Sequence, residues 1–217
     1  MQIVIPLFDR FAPLDAVGPY QILKLLPDAE IVFAAARPGP VADEDGAFAQ
    51  LAQAAFDDVP HPDVILVPGG GGQADHMTDG PLRDWLIAAD KTSTWTTSVC
   101  TGALILAGAG LLTGREATTY WLAMDELARL GARPRQERYV FDGKYVTAAG
   151  VSAGIDMALA LAMRITDAET ARRFQLAIEY DPRPPFDGDP YTAPPALAAS
   201  VRDASRFASR PRSHSGA

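Results

Sequence analysis

Short apolar runs alternate with helical patterns along the whole chain, and this alternation narrows the fold more than any other feature. Residues 2–8 form an apolar run of strand length. Residues 14–26 follow with Val17, Tyr20, Ile22, Leu23, Leu25 and Leu26 in a helical stripe, and Pro19 falls near the first turn. Residues 30–36 read as a second strand. Residues 63–67 read as a third, which ends in Pro68 and a run of four glycines. Residues 81–91 predict a helix with Trp85, Leu86 and Ala89 on one side. The β-prone segment 92–99 then leads into a small-residue helix over 103–112. Residues 116–120 and 145–149 predict further strands, and residues 121–130 a helix closed by Gly131. Asp142-Gly143 marks the tip of a hairpin over 139–145. Residues 152–165 and 168–178 predict two helices, the second capped by Asp167. Such a succession specifies an α/β domain with a mostly parallel sheet flanked by helices.

A chain of 217 residues, 48% of them hydrophobic, can build one large domain with a full core. A single α/β domain is expected over 1–195. Residues 181–195, rich in Pro, Asp and Gly, read as an extended strap on its surface. Residues 196–217 read as a C-terminal helix and tail, frayed and partly disordered at its polar end. The net charge of −8 argues against a nucleic-acid surface. A single cysteine excludes an internal disulfide framework. The first ten residues lack the basic leader of a signal peptide, and no apolar run approaches the roughly 18 residues of a membrane helix. A cytoplasmic protein without membrane or nucleic-acid partners is the expectation.

That one cysteine, Cys100, stands between the segment 92–99 and the helix beginning at 103, with Gly102 two positions on. A thiol at a strand-to-helix turn has the layout of a nucleophile elbow, although an unpaired cysteine also packs well as a small hydrophobe. The helix N-terminus behind it offers free N–H groups and a positive dipole end, which favour thiolate. Two other loops reach the same carboxyl edge of the sheet, where open α/β folds bind ligands. One carries Asp15, either a helix N-cap or an acid facing the thiol. Two anions at close range cannot both ionise cheaply, so a thiolate would leave the proton on Asp15 and the pair would titrate jointly. On this reading Cys100 ionises below the free-thiol value. The other loop, 68–72, matches neither the P-loop nor the dinucleotide fingerprint. Its expected role is a bare Gly70 N–H aimed at the reacting group beside the amide of Thr101, with Gly71 adjoining. Of the three histidines, His61 precedes a strand on the wrong edge, His76 follows the glycine loop and could approach the carboxyl edge but reads mostly as a surface residue, and His214 lies in the tail. No cluster has metal-ligand spacing, so neither metal nor cofactor is expected. Trp121 and Tyr120 could line a pocket.

Six segments carry a resemblance that spans almost the whole chain in order. They are residues 14–19 (LDAVGP), 67–70 (VPGG), 98–102 (SVCTG), 117–121 (ATTYW), 150–156 (GVSAGID) and 175–186 (QLAIEYDPRPPF). On these the sequence resembles the DJ/PfpI superfamily, which is class I glutamine-amidotransferase-like. The resemblance implies a flavodoxin-like three-layer sandwich. Within the superfamily the chain looks most like the isocyanide hydratases, through Asp15 in the first loop and the strap at 179–186. This implies addition of water to an isocyanide to give an N-substituted formamide, without cofactor, by a homodimer. The implied roles are Cys100 as nucleophile, Asp15 as general acid and base, and Thr101 beside them. Gly70, Gly71, Trp121, Gly150 and Val151 would surround the substrate. Tyr120 replaces a histidine common in relatives, which weakens a Cys–His mechanism and leaves a Cys–Asp mechanism intact. Two alternatives stay open. One is another cysteine-dependent activity of glyoxalase or amidase type. The other is a non-catalytic ligand- or redox-sensing module like that which begins many AraC-type regulators; the end of the chain at 217 without a helix-turn-helix favours the stand-alone enzyme.

Overall fold

A computed structural model describes residues 1–186 and 188–205. The strands are β1 (Gln2–Pro6), β2 (Glu30–Ala35), β3 (Gly39–Ala42), β4 (Ala49–Ala52), β5 (Ala54–Ala55), β6 (Val64–Val67), β7 (Trp95–Val99), β8 (Glu116–Ala117), β9 (Arg133–Pro134), β10 (Tyr139–Asp142) and β11 (Tyr145–Ala148). The α-helices are α1 (Pro13–Leu23), α2 (Pro81–Ala89), α3 (Gly102–Gly108), α4 (Met124–Arg129), α5 (Ala153–Ile165), α6 (Ala168–Ala177) and α7 (Pro195–Ala204). Short 3-10 turns occupy Phe56–Asp58, Gly71–His76 and Trp121–Ala123.

The central sheet has the order β10-β11-β7-β6-β1-β2-β5. Every pairing in it is parallel except the β10-β11 hairpin. Its inner strands are apolar on both faces, as a parallel sheet covered by helices requires: all four residues of β6 are buried, and so are four of the five in β1. Helices α1, α5 and α6 pack on one face, and α2, α3 and α4 on the other. The chain leaves β1 toward β2 on one side and leaves β6 toward β7 on the other. The crevice between β1 and β6 is therefore the switch point at which such sheets bind ligands.

The α/β architecture and the hairpin at Asp142-Gly143 agree with the sequence reading; Gly143 adopts φ 63° in the turn. Three segments differ. The strand expected over 116–120 stops at Ala117, because the Thr118 N–H and the Thr119 hydroxyl bond to Thr147 Oγ1 and to the Cys100 carbonyl instead of a ladder. The helix after Cys100 ends at Gly108, where Gly110 turns into a positive φ of 80°. The β3-β4 hairpin was not read from the sequence. Asp167 does cap α6, accepting the Thr170 N–H at 2.9 Å. The fraying expected of the tail falls on residues 206–217, outside the described ones.

Candidate active site

Cys100 is the one residue between β7 and the turn into α3, and it holds a φ of 55°. A non-glycine residue in this region carries strain that the surroundings must hold in place. They do so through the backbone. The Cys100 N–H donates to Ala148 O on β11 at 3.0 Å, and its carbonyl accepts the Thr119 hydroxyl at 2.7 Å. Gly102 lets the turn close: a Cβ there would lie 2.3 Å from Val67 O. Helix α3 can thus begin directly against the end of β6.

Asp15 arrives from α1. It is not the helix cap, since Ala12 holds that position without a side-chain bond. Instead the carboxyl lies in the first turn, fully buried at 0% exposure. Oδ2 accepts the Gly69 N–H at 3.0 Å. Gly69 leaves no room for a side chain, because a Cβ would lie 2.6 Å from both the N and Oγ1 of Thr101 and 2.9 Å from Asp15 Oδ2. The glycine loop thus wedges acid and elbow together. Oδ1 has no partner that meets hydrogen-bond geometry; with Ser98 Oγ it is one of two such buried atoms among the described residues. Buried polar groups are nearly always paired, so an unpaired carboxylate oxygen against the only thiol is a candidate reactive group.

The protonation of the pair departs from the sequence expectation. Burial pushes Asp15 up to about 7, against the pull of the Gly69 N–H and the Cys100 thiol. Burial likewise pushes Cys100 well up, and the Asp15 charge pushes it further, while the Thr101 N–H and hydroxyl draw it back. A thiol below the free value, with its proton resting on Asp15, is thus overturned. Cys100 is 8% exposed, and the positive end of a seven-residue helix does not offset that desolvation. At rest the sulfur keeps its proton and the carboxyl titrates first.

The remaining candidates divide. Thr101 is buried beside the pair. The Gly70 N–H is not bare as expected: it donates to Thr101 Oγ1 at 3.0 Å, which fixes the hydroxyl. Gly71 lies against the Glu44 carboxylate, where a Cβ would fall 2.6 Å from its atoms. Trp121, Gly150 and Val151 line a cavity of about 560 Å³ together with Leu14, Tyr120 and Tyr191. Cys100 does not line it, yet the two adjoin. Leu14 precedes Asp15, Tyr120 follows the partner of the Cys100 carbonyl, and Ala149, also on the wall, follows the partner of its N–H. His61 is exposed, with Nδ1 3.4 Å from the Thr92 hydroxyl. His76 is half-buried instead of a surface residue, its ring tilted 50° against Phe8 with centroids 4.9 Å apart. Sequence reasoning missed Gly69 and Thr119 as individual residues, although each lay within a segment already singled out, 67–70 and 117–121. Among the described residues no three His, Cys, Asp or Glu side chains gather as metal ligands, and no helix is long and apolar enough to cross a membrane.

The chain has relatives of similar sequence and fold. A curated protein of Pseudomonas putida named isonitrile hydratase is 43% identical over 204 residues, covering 93% of this chain and 89% of its own. A transcriptional regulator of Pseudomonas aeruginosa, CdhR, is 32% identical over 127 residues, 57% of this chain but 37% of the regulator. Among solved structures, a ThiJ/PfpI family protein from Pseudomonas syringae superposes with a TM-score of 0.88 at 34% identity, over 92% of this chain and 84% of that one. DJ-1beta of Drosophila melanogaster shares the fold with a TM-score of 0.73 at 18% identity, over 82% of this chain and 97% of its own. Residues 1–164, which carry the acid, the glycine loop and the cysteine elbow, match the DJ-1/PfpI family as a whole, and the chain belongs to that family.

Proposed function

We propose that the chain hydrates an isocyanide, R–N≡C, to the N-substituted formamide. One observation carries the reading: a buried carboxyl with one oxygen unpaired and its pKa near neutrality faces the only thiol, beside an aromatic-walled cavity. The relative named isonitrile hydratase, aligned over nearly its full length, supports the choice of substrate class.

The chemistry follows from one proton held by the pair. Above the pKa of Asp15 the pair is thiol and carboxylate. Transfer of that proton gives thiolate and carboxylic acid, a tautomer of the same charge. The thiolate sulfur attacks the isocyanide carbon while Asp15 protonates the same carbon. The product is the thioimidate Cys100–S–CH=N–R with Asp15 as carboxylate. Covalent capture splits one hard addition into two easier ones. Asp15 then takes a proton from water as the hydroxide adds to the carbon, and passes that proton to the nitrogen. Collapse expels the thiolate, leaves R–NH–CHO and restores one proton to the pair. Thr101, fixed by Gly70, orients substrate or water. Trp121, Tyr120, Gly150 and Val151 hold the R group. The reading includes a homodimer, the commonest soluble assembly, in the cytoplasm.

The test is purified protein with an aryl isocyanide, with formamide followed by chromatography. Formamide from the parent and none from Cys100→Ala supports the reading. Turnover of methylglyoxal but not of isocyanide, or undiminished hydration by Cys100→Ala, overturns it.

A further inference from the structure

A second cavity opens at the same carboxyl edge of the sheet, with a volume of about 340 Å³. It shares no lining residue with the cavity beside Cys100. Its floor is apolar, made by Leu7 and Phe8 after β1, Val41 of β3, Phe56 and Leu82. Its size and lining fall in the range of small-molecule sites. Two opposite charges border that floor, Asp9 after β1 and Arg37 after β2. Both are exposed, and neither makes a hydrogen bond or ion pair among the described residues, with each other or with any third group. The neighbouring charge is already used: Arg10 pairs with Asp75 at 2.6 Å. His76 adds a ring against Phe8, and burial holds its pKa below the ordinary imidazole value against the upward pull of the Asp75 and Asp9 carboxylates.

The turn bearing Asp9 is held on both sides. The Arg10 N–H donates to Ala42 O at 2.9 Å, and the Gly72 N–H donates to Arg10 O at 3.1 Å. The carboxylate therefore projects from a fixed support, which lowers the entropic cost of binding. An anionic ligand would satisfy Arg37 and face Asp9 in repulsion; a cationic one would do the reverse. A ligand with adjacent opposite charges and an apolar body satisfies the floor and both rims at once.

We propose that this cavity binds a free hydrophobic α-amino acid, with its side chain on the apolar floor, its carboxylate on Arg37 and its ammonium on Asp9. The site is independent of the isocyanide reading and stands whether or not the chain hydrates isocyanides.

Calorimetric titration of the full chain with L-leucine and L-phenylalanine tests it, beside isocaproate and isoamylamine, which lack the ammonium and the carboxylate of leucine. At least one amino acid should bind, with both analogues weaker by about tenfold or more. Arg37→Ala and Asp9→Asn should each weaken the amino acid by about tenfold or more, while their melting without ligand matches the parent, since both side chains are exposed and unpaired. No binding of either amino acid at millimolar concentration overturns the proposal. Equal binding of isocaproate or isoamylamine, or retained affinity in either variant, overturns it as well.

Discussion

Two aspartates are buried at opposite edges of one sheet, and they differ in what surrounds them. Asp90, 8% exposed, lies at the amino edge. Oδ1 accepts the Thr96 hydroxyl at 2.6 Å and meets Lys144 Nζ at 3.1 Å, and Oδ2 accepts the Tyr145 hydroxyl at 2.9 Å. The Arg115 guanidinium stacks 4.3 Å over the Tyr145 ring. The Tyr145 hydroxyl, desolvated and tied to Asp90, is pushed up to about 12, so it remains a donor. Asp15, at the carboxyl edge, has one N–H partner, no cation and one oxygen unpaired. A carboxylate with both oxygens engaged and a counter-ion at hand is a fastening. One taken from water with half its bonds missing is a stored proton affinity. On the proposed reading the same residue type serves structure at one end of β7 and chemistry at the other.

Substitution separates the two roles. Asp15→Asn keeps size and polarity but removes the transferable proton. Hydration should fall by about a hundredfold to ten-thousandfold, the usual worth of a positioned acid or base. Rates within a few-fold of the parent would break the comparison.

Stability against pH gives the next effect. The folded pKa of Asp15 is raised from 3.8 to about 7, so the native state holds a proton that the unfolded chain releases. Its contribution is full below the unfolded pKa and is lost as pH rises through the folded one. At 1.36 kcal/mol per unit that loss is about 4 kcal/mol between about pH 4 and pH 7. Asp15→Asn has no such loss. Its melting temperature relative to the parent should therefore climb between about pH 4 and pH 7 and level off above that. Parallel melting curves across that range would show that Asp15 ionises as an ordinary carboxyl.

Asp90→Ala should behave in the opposite sense. Lys144, with 29% of its side chain exposed, loses its counter-ion, and two buried hydroxyls lose their acceptor. The cost should be about 3 kcal/mol, toward the low end for a broken buried pair, with hydration by the folded fraction close to the parent's. Denaturant unfolding checks the first and the isocyanide assay the second. A variant as stable as the parent would deny Asp90 its fastening role.

The sequence made one of these edges visible and hid the other. Cys100 is legible because its chemistry is local: strand, thiol, glycine and helix follow within a few positions. Asp15 stands out by its loop, though its partner Gly69 is 54 positions away. The Asp90 cluster joins groups from positions 90, 96, 144 and 145 that no spacing rule connects. The β3-β4 hairpin did leave a signal, Asp45-Gly46, with Gly46 at φ 70°. The direction of the thiol shift was not readable. The helix dipole is local and can be read from order along the chain, whereas desolvation is set by everything packed around Cys100.

The pH dependence of kcat/KM for an aryl isocyanide tests most directly the claim that one shared proton makes the carboxyl edge reactive. Below the pKa of Asp15 the pair holds two protons and no nucleophile forms. Above it the single-proton pair persists until the thiol itself ionises, well above its ordinary value. The rate should rise through a single ionisation at about 7 and stay level past about pH 9. A profile flat from about pH 5 to pH 9, or one that first rises at the pKa of a free thiol near 8.5, would contradict the account.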